Sequence, residues 1–504
     1  MISTPFFCKR TVFTCLFLFS AFSFVWATDL LPDGIIPSNM GVQLKTHSEG
    51  PDHLNRVRDL GMKWVRRGFI WTSIEKQKGV YDFTSYDKFV NNCHDRGLSI
   101  IGCMAFSNEA LYSHAKDEPG RTAYANWAAA LAKRYKDYNI IWEIWNEPNT
   151  MTFWGKHGGV GNSLQYAQEY TALVNVVVPA MKAANPDCII LAGSVSNLWS
   201  ESYKWMSYCF SNAGMLDIDW DAWSVHPYGL PTPEDYIEGY AISRQKMTDA
   251  GGDTHNRPWI NSERGFSINA NTGENEEIQA WHAIRQYFVD LLENVPLTIW
   301  YEWLSGGTET FSLYRSGEPL PAMKACEVMI RELSGYRLDQ RIPAQRARDF
   351  VLRFINDNND VKLVVWAAPE PMQRSTTIIP HSININVGEY ENTLDTTSIY
   401  GEKGTITVSG GIITPYLSGA PTYISLKKTT NVPSVDTKNM IIPSGKGFFA
   451  YADKTSTLTV YRINGTVFMQ QKIDAGTTYI PVPAGFYIVN FTNNSYKLVV
   501  GSKE

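Results

Sequence analysis

The feature that most constrains the fold of this chain is a regular alternation of two kinds of segment between about Ser38 and Ser334. Short β-branched or apolar runs, typical of buried strands, alternate with longer amphipathic stretches, typical of helices that cover a sheet. This pattern predicts repeated β/α units around a parallel sheet. The predicted strands are Met40–Leu44, Lys63–Ile70, Leu98–Phe106, Ile140–Trp145, Cys188–Gly193, Asp221–His226, Pro258–Ser262 and Leu297–Trp303.

Helices are predicted in the segments between these strands. Pro233 and Pro321 favour a helix start, because proline needs no N–H in the first turn. Eight strands with connecting helices in about 300 residues are what a (β/α)8 TIM barrel requires. A doubly wound open sheet is the alternative, but Gly159-Val160-Gly161 lacks the third glycine and the preceding strand of its phosphate loop. The predicted helices include Asp52–Leu60, Thr84–Arg96, Ala123–Tyr138, Leu164–Ala184, Pro233–Ala250, Glu274–Glu293 and Pro321–Leu333.

The helical period ends near Gly335, and strands separated by Gly, Pro and Asn clusters follow. The class is therefore α/β, with a barrel over residues 28–335, a small β-sandwich over 336–428 and a C-terminal all-β domain over 436–504. Thr429–Val435 is interpreted as a linker. The predicted strands of the sandwich are Phe350–Ile355, Val361–Trp366, Thr377–Val387, Thr405–Ser409 and Thr422–Leu426.

Residues 1–27 are typical of a signal peptide. Lys9 and Arg10 precede the apolar stretch Val12–Trp26, and Ala27 offers a cleavage site before Thr28. We therefore expect a secreted, periplasmic or cell-surface protein, with a signal anchor as the alternative. No later segment reaches 18 apolar residues, so no membrane span is expected after signal removal. The net charge of −5, without a run of Lys or Arg, makes nucleic acid an unfavourable partner.

Two carboxylates fall at the ends of predicted strands. Period-2 alternation places Glu143, Trp145 and Glu147 on one face of the strand that begins at Ile140, and Pro148 then breaks the chain. Glu263 ends the seventh strand just before Gly265. In a barrel the carboxyl ends of the strands form the active face. A pair of carboxylates there is the chemistry of glycoside hydrolysis, either retaining or inverting according to their separation.

The segment Trp142-Glu143-Ile144-Trp145-Asn146-Glu147-Pro148-Asn149, with Phe153-Trp154, resembles the acid/base segment of clan A glycoside hydrolases, most closely families 39 and 5. The resemblance covers roughly residues 38–333. It implies Glu147 as general acid/base, Glu263 as nucleophile and Asn146 as a donor to the sugar 2-hydroxyl. It also implies that Arg66 and Tyr228 orient Glu263, that His226 lines the same subsite, and that Trp300 or Trp303 forms an apolar floor. The clan is retaining, so double displacement is implied.

Glu143 is expected to point into the barrel and form an ion pair rather than act on substrate. No cofactor or metal is implied, and a β-linked glycan is the expected partner, with the oligomeric state left open. Two alternatives remain: a non-catalytic glycan-binding protein on a decayed barrel, and a transglycosylase using the same carboxylates. Gly485–Val489 and Lys497–Val500 resemble the C-terminal domains of exported Bacteroidetes proteins, some of which are type IX sorting signals.

Overall fold

The computed structural model describes residues 31–155, 161–254, 256–305, 310–315, 317–388, 390–426, 440–444, 447–463, 465–492 and 494–500. The predicted signal peptide, the predicted linker and the Gly159-Val160 pair lie outside these residues. The described part of the chain begins with eight parallel strands that close into a barrel in sequential order. The predicted TIM barrel is therefore confirmed.

The eight strands fall on the eight predicted segments, and a helix follows each one. The strands are β1 Met40–Gln43, β2 Trp64–Ile70, β3 Ser99–Ala105, β4 Ile140–Ile144, β5 Ile189–Asn197, β6 Ala222–Tyr228, β7 Trp259–Arg264 and β8 Thr298–Trp300. The helices are α1 Pro51–Leu60, α2 Thr84–His94, α3 Gly120–Arg134, α4 Leu164–Ala184, α5 Ser200–Ser207, α6 Tyr236–Asp249, α7 Glu276–Leu292 and α8 Pro321–Leu333.

The inside of the barrel changes from apolar to polar along the strands. Trp64, Ile101, Ile141, Ile260 and Ile299 belong to one buried cluster that fills its lower part. Toward the carboxyl ends, the inward positions are instead occupied by hydrogen-bonded polar side chains. The apolar layer closes the bottom of the barrel, so that end supports the structure while the other end is left for chemistry.

An antiparallel six-stranded sheet follows the barrel, in the spatial order β9-β10-β11-β14-β12-β13. Two short strand pairs, His381–Ser382 with Tyr416–Leu417 and Ile385–Asn386 with Ile412–Ile413, share a buried cluster with its strands and so make a second layer. The six strands are β9 Tyr336–Arg341, β10 Asp349–Asn356, β11 Val361–Ala367, β12 Thr393–Thr397, β13 Lys403–Thr407 and β14 Thr422–Leu426.

The last part of the chain is also all-β, in a three-stranded and a four-stranded sheet with a core of their own. The predicted barrel followed by all-β domains is confirmed, whereas the exact domain boundaries stay a prediction. Its strands are β15 Met440–Ser444, β16 Gly447–Ala452, β17 Ser456–Arg462, β18 Val467–Ile473, β19 Gly476–Pro481, β20 Gly485–Phe491 and β21 Asn494–Val500. None of the helices in the described ranges is both long and apolar enough to cross a bilayer.

Candidate active site

Glu147 and Glu263 lie together at the carboxyl end of the barrel. Glu263 is the next-to-last residue of β7, and Glu147 follows the end of β4 by three residues. Both side chains are 14% exposed, so each carboxylate reaches solvent while most of its side chain is covered. The two predicted catalytic residues are therefore brought to one cleft from strands on opposite sides of β5 and β6.

The predicted alternation through Trp145 is wrong. β4 ends at Ile144, and Trp145 and Glu147 have left-handed backbone conformations, with φ of 69° and 48°. This reversal places Trp145 among the rings of His114, Tyr124 and Trp154, fully buried, rather than beside Glu147. A period-2 pattern holds only while the backbone stays extended, and here it stops before the segment that carries Glu147.

Glu263 is held by two donors that the sequence analysis assigned to it. An Arg66 guanidinium N–H donates to its Oε2 at 2.6 Å, and the Tyr228 hydroxyl donates to its Oε1 at 3.1 Å. Arg66 is buried, so the charge pair is poorly screened. Burial and the adjacent Glu263 charge together raise the pKa of Tyr228 well above its usual range, which keeps the phenol a donor. These contacts fix the orientation of the Glu263 carboxylate.

Arg66 is the hub of the site. Its guanidinium also donates to Glu143 Oε2 at 2.8 and 2.5 Å, to Gln43 Oε1 at 2.9 Å and to Asn146 Oδ1 at 2.8 Å. Burial opposes ionisation of Glu143, but the Arg66 charge, the nearby His226 and the hydrogen bonds from Ser262 and Ser224 together outweigh it and hold the pKa of Glu143 below its usual range. Glu143 thus forms the buried ion pair expected for it. Because Asn146 turns its oxygen toward Arg66, its amide N–H group is left for another acceptor.

Glu147 contacts a different set of partners. Its Oε1 lies 3.1 Å from His226 Nδ1, and its backbone N–H points at the Ser194 hydroxyl at 3.4 Å. The other ring nitrogen of His226 lies 3.1 Å from Ser262 Oγ. Glu147 therefore pairs with an imidazole, whereas Glu263 pairs with a permanently charged guanidinium. This asymmetry separates the electrostatic environments of the two carboxylates.

The serines behind His226 were not predicted as site residues. Ser224 and Ser262 both donate to Glu143 Oε1, at 2.7 and 2.6 Å. One sequence signal could have identified Ser224: it precedes His226 and Tyr228 by two and four residues on the same strand face. Ser262 carries no such signal, since its role depends on which strands face β4 across the inside of the barrel.

Glu147, His226 and Glu263 also form the one group among the described residues whose geometry could suit a metal ion, with one ligand atom from each lying within 4.8 Å of the others. Their hydrogen bonds to Arg66, Tyr228 and Ser262 already use part of that ligand set. A cation there would also have to sit beside the Arg66 charge. The same closeness brings the two carboxylates within reach of a single substrate atom.

The prediction that Trp300 or Trp303 forms an apolar floor is wrong, because both are 0% exposed. Trp300 lies on the outer side of β8, where its indole N–H donates to the Phe311 carbonyl at 3.0 Å. The Trp303 indole donates to His53 at 3.1 Å. Neither can offer a ring face to a sugar.

Tyr301 occupies the mouth instead. Its ring is partly exposed and lies 5.0 Å from the Lys45 ammonium, which pairs with Glu302 at 2.8 Å. Burial raises the pKa of Tyr301 to about 12, and the nearby Glu302 and Glu263 charges act in the same direction. The hydroxyl therefore stays protonated. Trp300, Tyr301 and Trp303 are three aromatic residues within four positions at the end of β8, so the sequence alone could not show which ring faces the cleft.

The chain matches a known family over its barrel. The family model described as Cellulase (glycosyl hydrolase family 5) matches residues 39–305. No curated protein matches the chain significantly.

Solved structures share the architecture at low sequence identity. A family 39 glycoside hydrolase from Bacteroides cellulosilyticus WH2 is 21% identical with a TM-score of 0.61, covering 77% of this chain and 81% of that one. A monomeric beta-xylosidase from Caulobacter crescentus CB15 is 13% identical with a TM-score of 0.57, covering 79% and 98%. A GH30 endoxylanase from Clostridium papyrosolvens C71 is 14% identical with a TM-score of 0.55, covering 79% and 97%. At these identities the likeness shows the fold alone.

Proposed function

The chain belongs to glycosyl hydrolase family 5, and on that basis we propose that it is a retaining glycosidase acting on a β-linked polysaccharide or oligosaccharide. The observation that carries the proposal is the approach of Glu147 and Glu263 oxygens to within 4.8 Å. Carboxyl groups about 5 Å apart favour a covalent intermediate, whereas inverting enzymes need about 6.5–9.5 Å to admit a water.

In the proposed mechanism Glu263 is the nucleophile. Its carboxylate attacks the anomeric carbon, and the bond to the leaving-group oxygen breaks as Glu147 donates a proton to that oxygen. The product of this step is a glycosyl ester on Glu263. Glu147, now a carboxylate, takes a proton from water as the water oxygen attacks the same carbon. The ester bond to Glu263 breaks, which restores the Glu263 carboxylate and releases the sugar with its original configuration.

The roles follow from the partners of each carboxylate. Arg66 and Tyr228 stabilise the charged form of Glu263, as a nucleophile requires. Glu147 pairs with the His226 imidazole instead of a permanent cation, which suits a group that must give up and take back a proton in each cycle. Asn146, whose oxygen is occupied by Arg66, directs its N–H group to the sugar 2-hydroxyl, and Tyr301 replaces the tryptophans as the aromatic floor. No step calls for a cofactor.

The roles are tested by a leaving-group experiment on aryl β-glycosides. Glu263→Gln should reduce kcat by at least about a thousandfold on every substrate, because the nucleophile is lost. Glu147→Gln should slow 4-methylphenyl glycosides by about 10²–10⁴-fold. It should slow formation of the glycosyl-enzyme from 2,4-dinitrophenyl glycosides far less, because that leaving group needs no protonation.

The matched control is Glu327→Gln, on the exposed side of α8, and its kcat should equal that of the natural protein on every substrate. The panel should include xylosides, glucosides, galactosides and mannosides. Proton NMR of the first-formed sugar should show the starting anomeric configuration. The opposite anomer, or an undiminished rate in Glu263→Gln, would overturn the proposal, and products extended by an added acceptor sugar would indicate a transglycosylase.

Export belongs to the same proposal. The signal-peptide pattern of residues 1–27 and the sorting-like pattern near the C-terminus favour a secreted or surface enzyme that meets polysaccharide outside the cell. N-terminal sequencing of the mature protein from the producing cells should begin at Thr28, and detection only of the full-length chain would contradict cleavage.

A further inference from the structure

An exposed tryptophan lies beside the catalytic cleft. Trp199 follows β5 and its side chain is 50% exposed, unlike Trp300 and Trp303. One face of its ring lies against Gly229, so close that a Cβ on that glycine would fall 2.3 Å from the indole. Because one face is covered by backbone and half the side chain reaches solvent, the opposite face is open. A flat, rigid, apolar surface is therefore presented at the active end of the barrel.

The position of this ring relates it directly to the catalytic residues. Gly229 is the residue after Tyr228, whose hydroxyl donates to Glu263. β5 and β6 are neighbours, and Asn197 of β5 pairs with Tyr228 of β6. Trp199 follows Asn197 by two residues. In the barrel these strands lie between β4 and β7, which carry the two carboxylates. Trp199 thus stands on the rim between the proposed acid and the proposed nucleophile.

Trp199 forms one wall of a groove with a cavity volume of about 270 Å³, here named the Trp199 groove and lined by Trp199, Tyr203, Glu238, Pro371 and Met372 among others. Leu230 lines it too, and also lines a second cavity of about 330 Å³ that Tyr228 and Arg264 border. The shared Leu230 makes the two cavities neighbours, and Tyr228, which borders the second one, donates its hydroxyl to Glu263.

The far wall of the Trp199 groove comes from outside the barrel. Pro371 and Met372 belong to the turn after β11, and Met372 is 54% exposed. The turn is tied to the barrel, because the Met372 backbone N–H donates to Asp235 Oδ1 at 3.3 Å and Arg348 pairs with the same carboxylate at 3.2 Å. The groove is therefore formed by the barrel, by the six-stranded sheet domain and, through Ser444, by the last all-β part.

We propose that the Trp199 groove binds sugar units of a β-linked glycan beyond the one held at Glu147 and Glu263, with Trp199 as the stacking platform. The proposal rests on the proposed function and refines its substrate class to a chain of several sugars. A sugar ring has an apolar face that suits the open indole, and its equatorial hydroxyls suit the Glu238 carboxylate and Ser444 that also line the groove.

The test separates binding from catalysis. Retention in affinity electrophoresis gels containing soluble xylan, hydroxyethyl cellulose or galactomannan is measured in the Glu263→Gln background, so that no substrate is consumed. Trp199→Ala should weaken the apparent affinity for the retained polysaccharide about tenfold, the loss expected when one apolar ring face is no longer covered. Trp199→Phe should recover most of it. Tyr416→Ala, an exposed aromatic on the outer sheet, is the control and should bind like the parent.

With the active enzyme, the ratio of kcat/KM on polymer to kcat/KM on an aryl monoglycoside should fall about tenfold in Trp199→Ala. Equal retention of parent and Trp199→Ala, or no retention of the parent in any of the three gels, would overturn this proposal. If the natural protein hydrolyses none of the substrates but its retention still depends on Trp199, the proposed function would be overturned and the groove would stand as a glycan-binding site.

Discussion

Two serine hydroxyls lie against one ring nitrogen of His226, behind Glu147. The Ser262 hydroxyl donates to Glu143 at 2.6 Å, and its oxygen lies 3.1 Å from His226 Nε2. The Ser194 hydroxyl lies 3.3 Å from the same nitrogen. The other ring nitrogen, Nδ1, lies 3.1 Å from Glu147 Oε1. The buried Glu143 is therefore linked to Glu147 through Ser262 and the His226 ring, and these contacts hold the imidazole in place beside the proposed acid.

These contacts predict a loss of activity in Ser262→Ala. Without the serine, the His226 ring loses one of the contacts that hold it against Glu147. We expect kcat on aryl β-glycosides to fall about tenfold, the effect of one hydrogen bond. Ser224→Ala is the matched comparison, because Ser224 also donates to Glu143 but its hydroxyl is not one of the two that lie against His226, and its kcat should fall less. An equal fall in both variants, or in neither, would refute the role of Ser262.

At the residue scale, the sequence predicted the two carboxylates and the Arg66 and Tyr228 contacts, but not the aromatic floor. The carboxylates were predictable because each lies close to the carboxyl end of a strand whose apolar pattern is unambiguous. The floor was not, because Trp300, Tyr301 and Trp303 are all aromatic and only the exact end of β8 decides which ring turns inward. The periodicity of the sequence could not predict the left-handed backbone conformation at Trp145 either.

At the scale of elements, α7 is joined to its neighbours through one buried carboxyl group. Asp290 accepts from Tyr240 of α6 at 2.8 Å, from Asn261 of β7 at 2.8 Å and from Thr298 of β8 at 2.8 Å. Burial raises the pKa of Asp290 to about 7 from an ordinary value of 3.8, and the three donors only partly oppose this. The folded protein therefore holds a proton there that the unfolded chain releases.

The sign of the resulting pH dependence follows from linkage. Between about pH 4 and pH 7 the folded state binds more protons at Asp290 than the unfolded state, so the free energy of unfolding falls as pH rises through that range, by at most about 4 kcal/mol. Asp290→Asn removes the ionisation. We expect its Tm to change less between pH 5 and pH 8 than that of the natural protein, while Glu293, whose pKa is also about 7, preserves part of the slope. If Tm changes as much between pH 5 and pH 8 in Asp290→Asn as in the natural protein, the raised pKa of Asp290 would be contradicted.

Element positions were largely readable from the sequence because the barrel repeats one simple pattern. Leu164–Ala184 and Pro321–Leu333 are helices with the predicted ends. α5 was not predicted, since eight residues give too few turns for a helical period to be recognised. The segment predicted as one strand over Thr377–Val387 is instead two short strands after a turn of 3-10 helix, because its pairing partners are themselves short.

At the scale of the whole molecule, the barrel and the six-stranded sheet share a core and do not merely touch. Trp366 of β11 is fully buried, stacks on Phe288 of α7 with ring centroids 5.8 Å apart, and donates to Glu234 Oε1 at 2.8 Å. Glu234 in turn is paired with the buried Arg285 of α7. The segment that precedes β1 is also hydrogen-bonded to β9, the first strand after the barrel, because the Ile36 N–H donates to the Tyr336 carbonyl.

The shared core predicts that Trp366→Ala destabilises the catalytic barrel as well as the sheet domain. Removing the indole leaves a cavity beside Phe288 and takes a donor from Glu234, for a cost of about 3–5 kcal/mol. Calorimetry should show that the transition in which catalytic activity is lost moves to lower temperature together with that of the sheet. Tyr416→Ala, 66% exposed on the same domain, should leave both in place. If the barrel transition stays at the same temperature while the sheet alone melts earlier, the barrel and the sheet are independent units. The Trp199 groove could then open without loss of the catalytic centre.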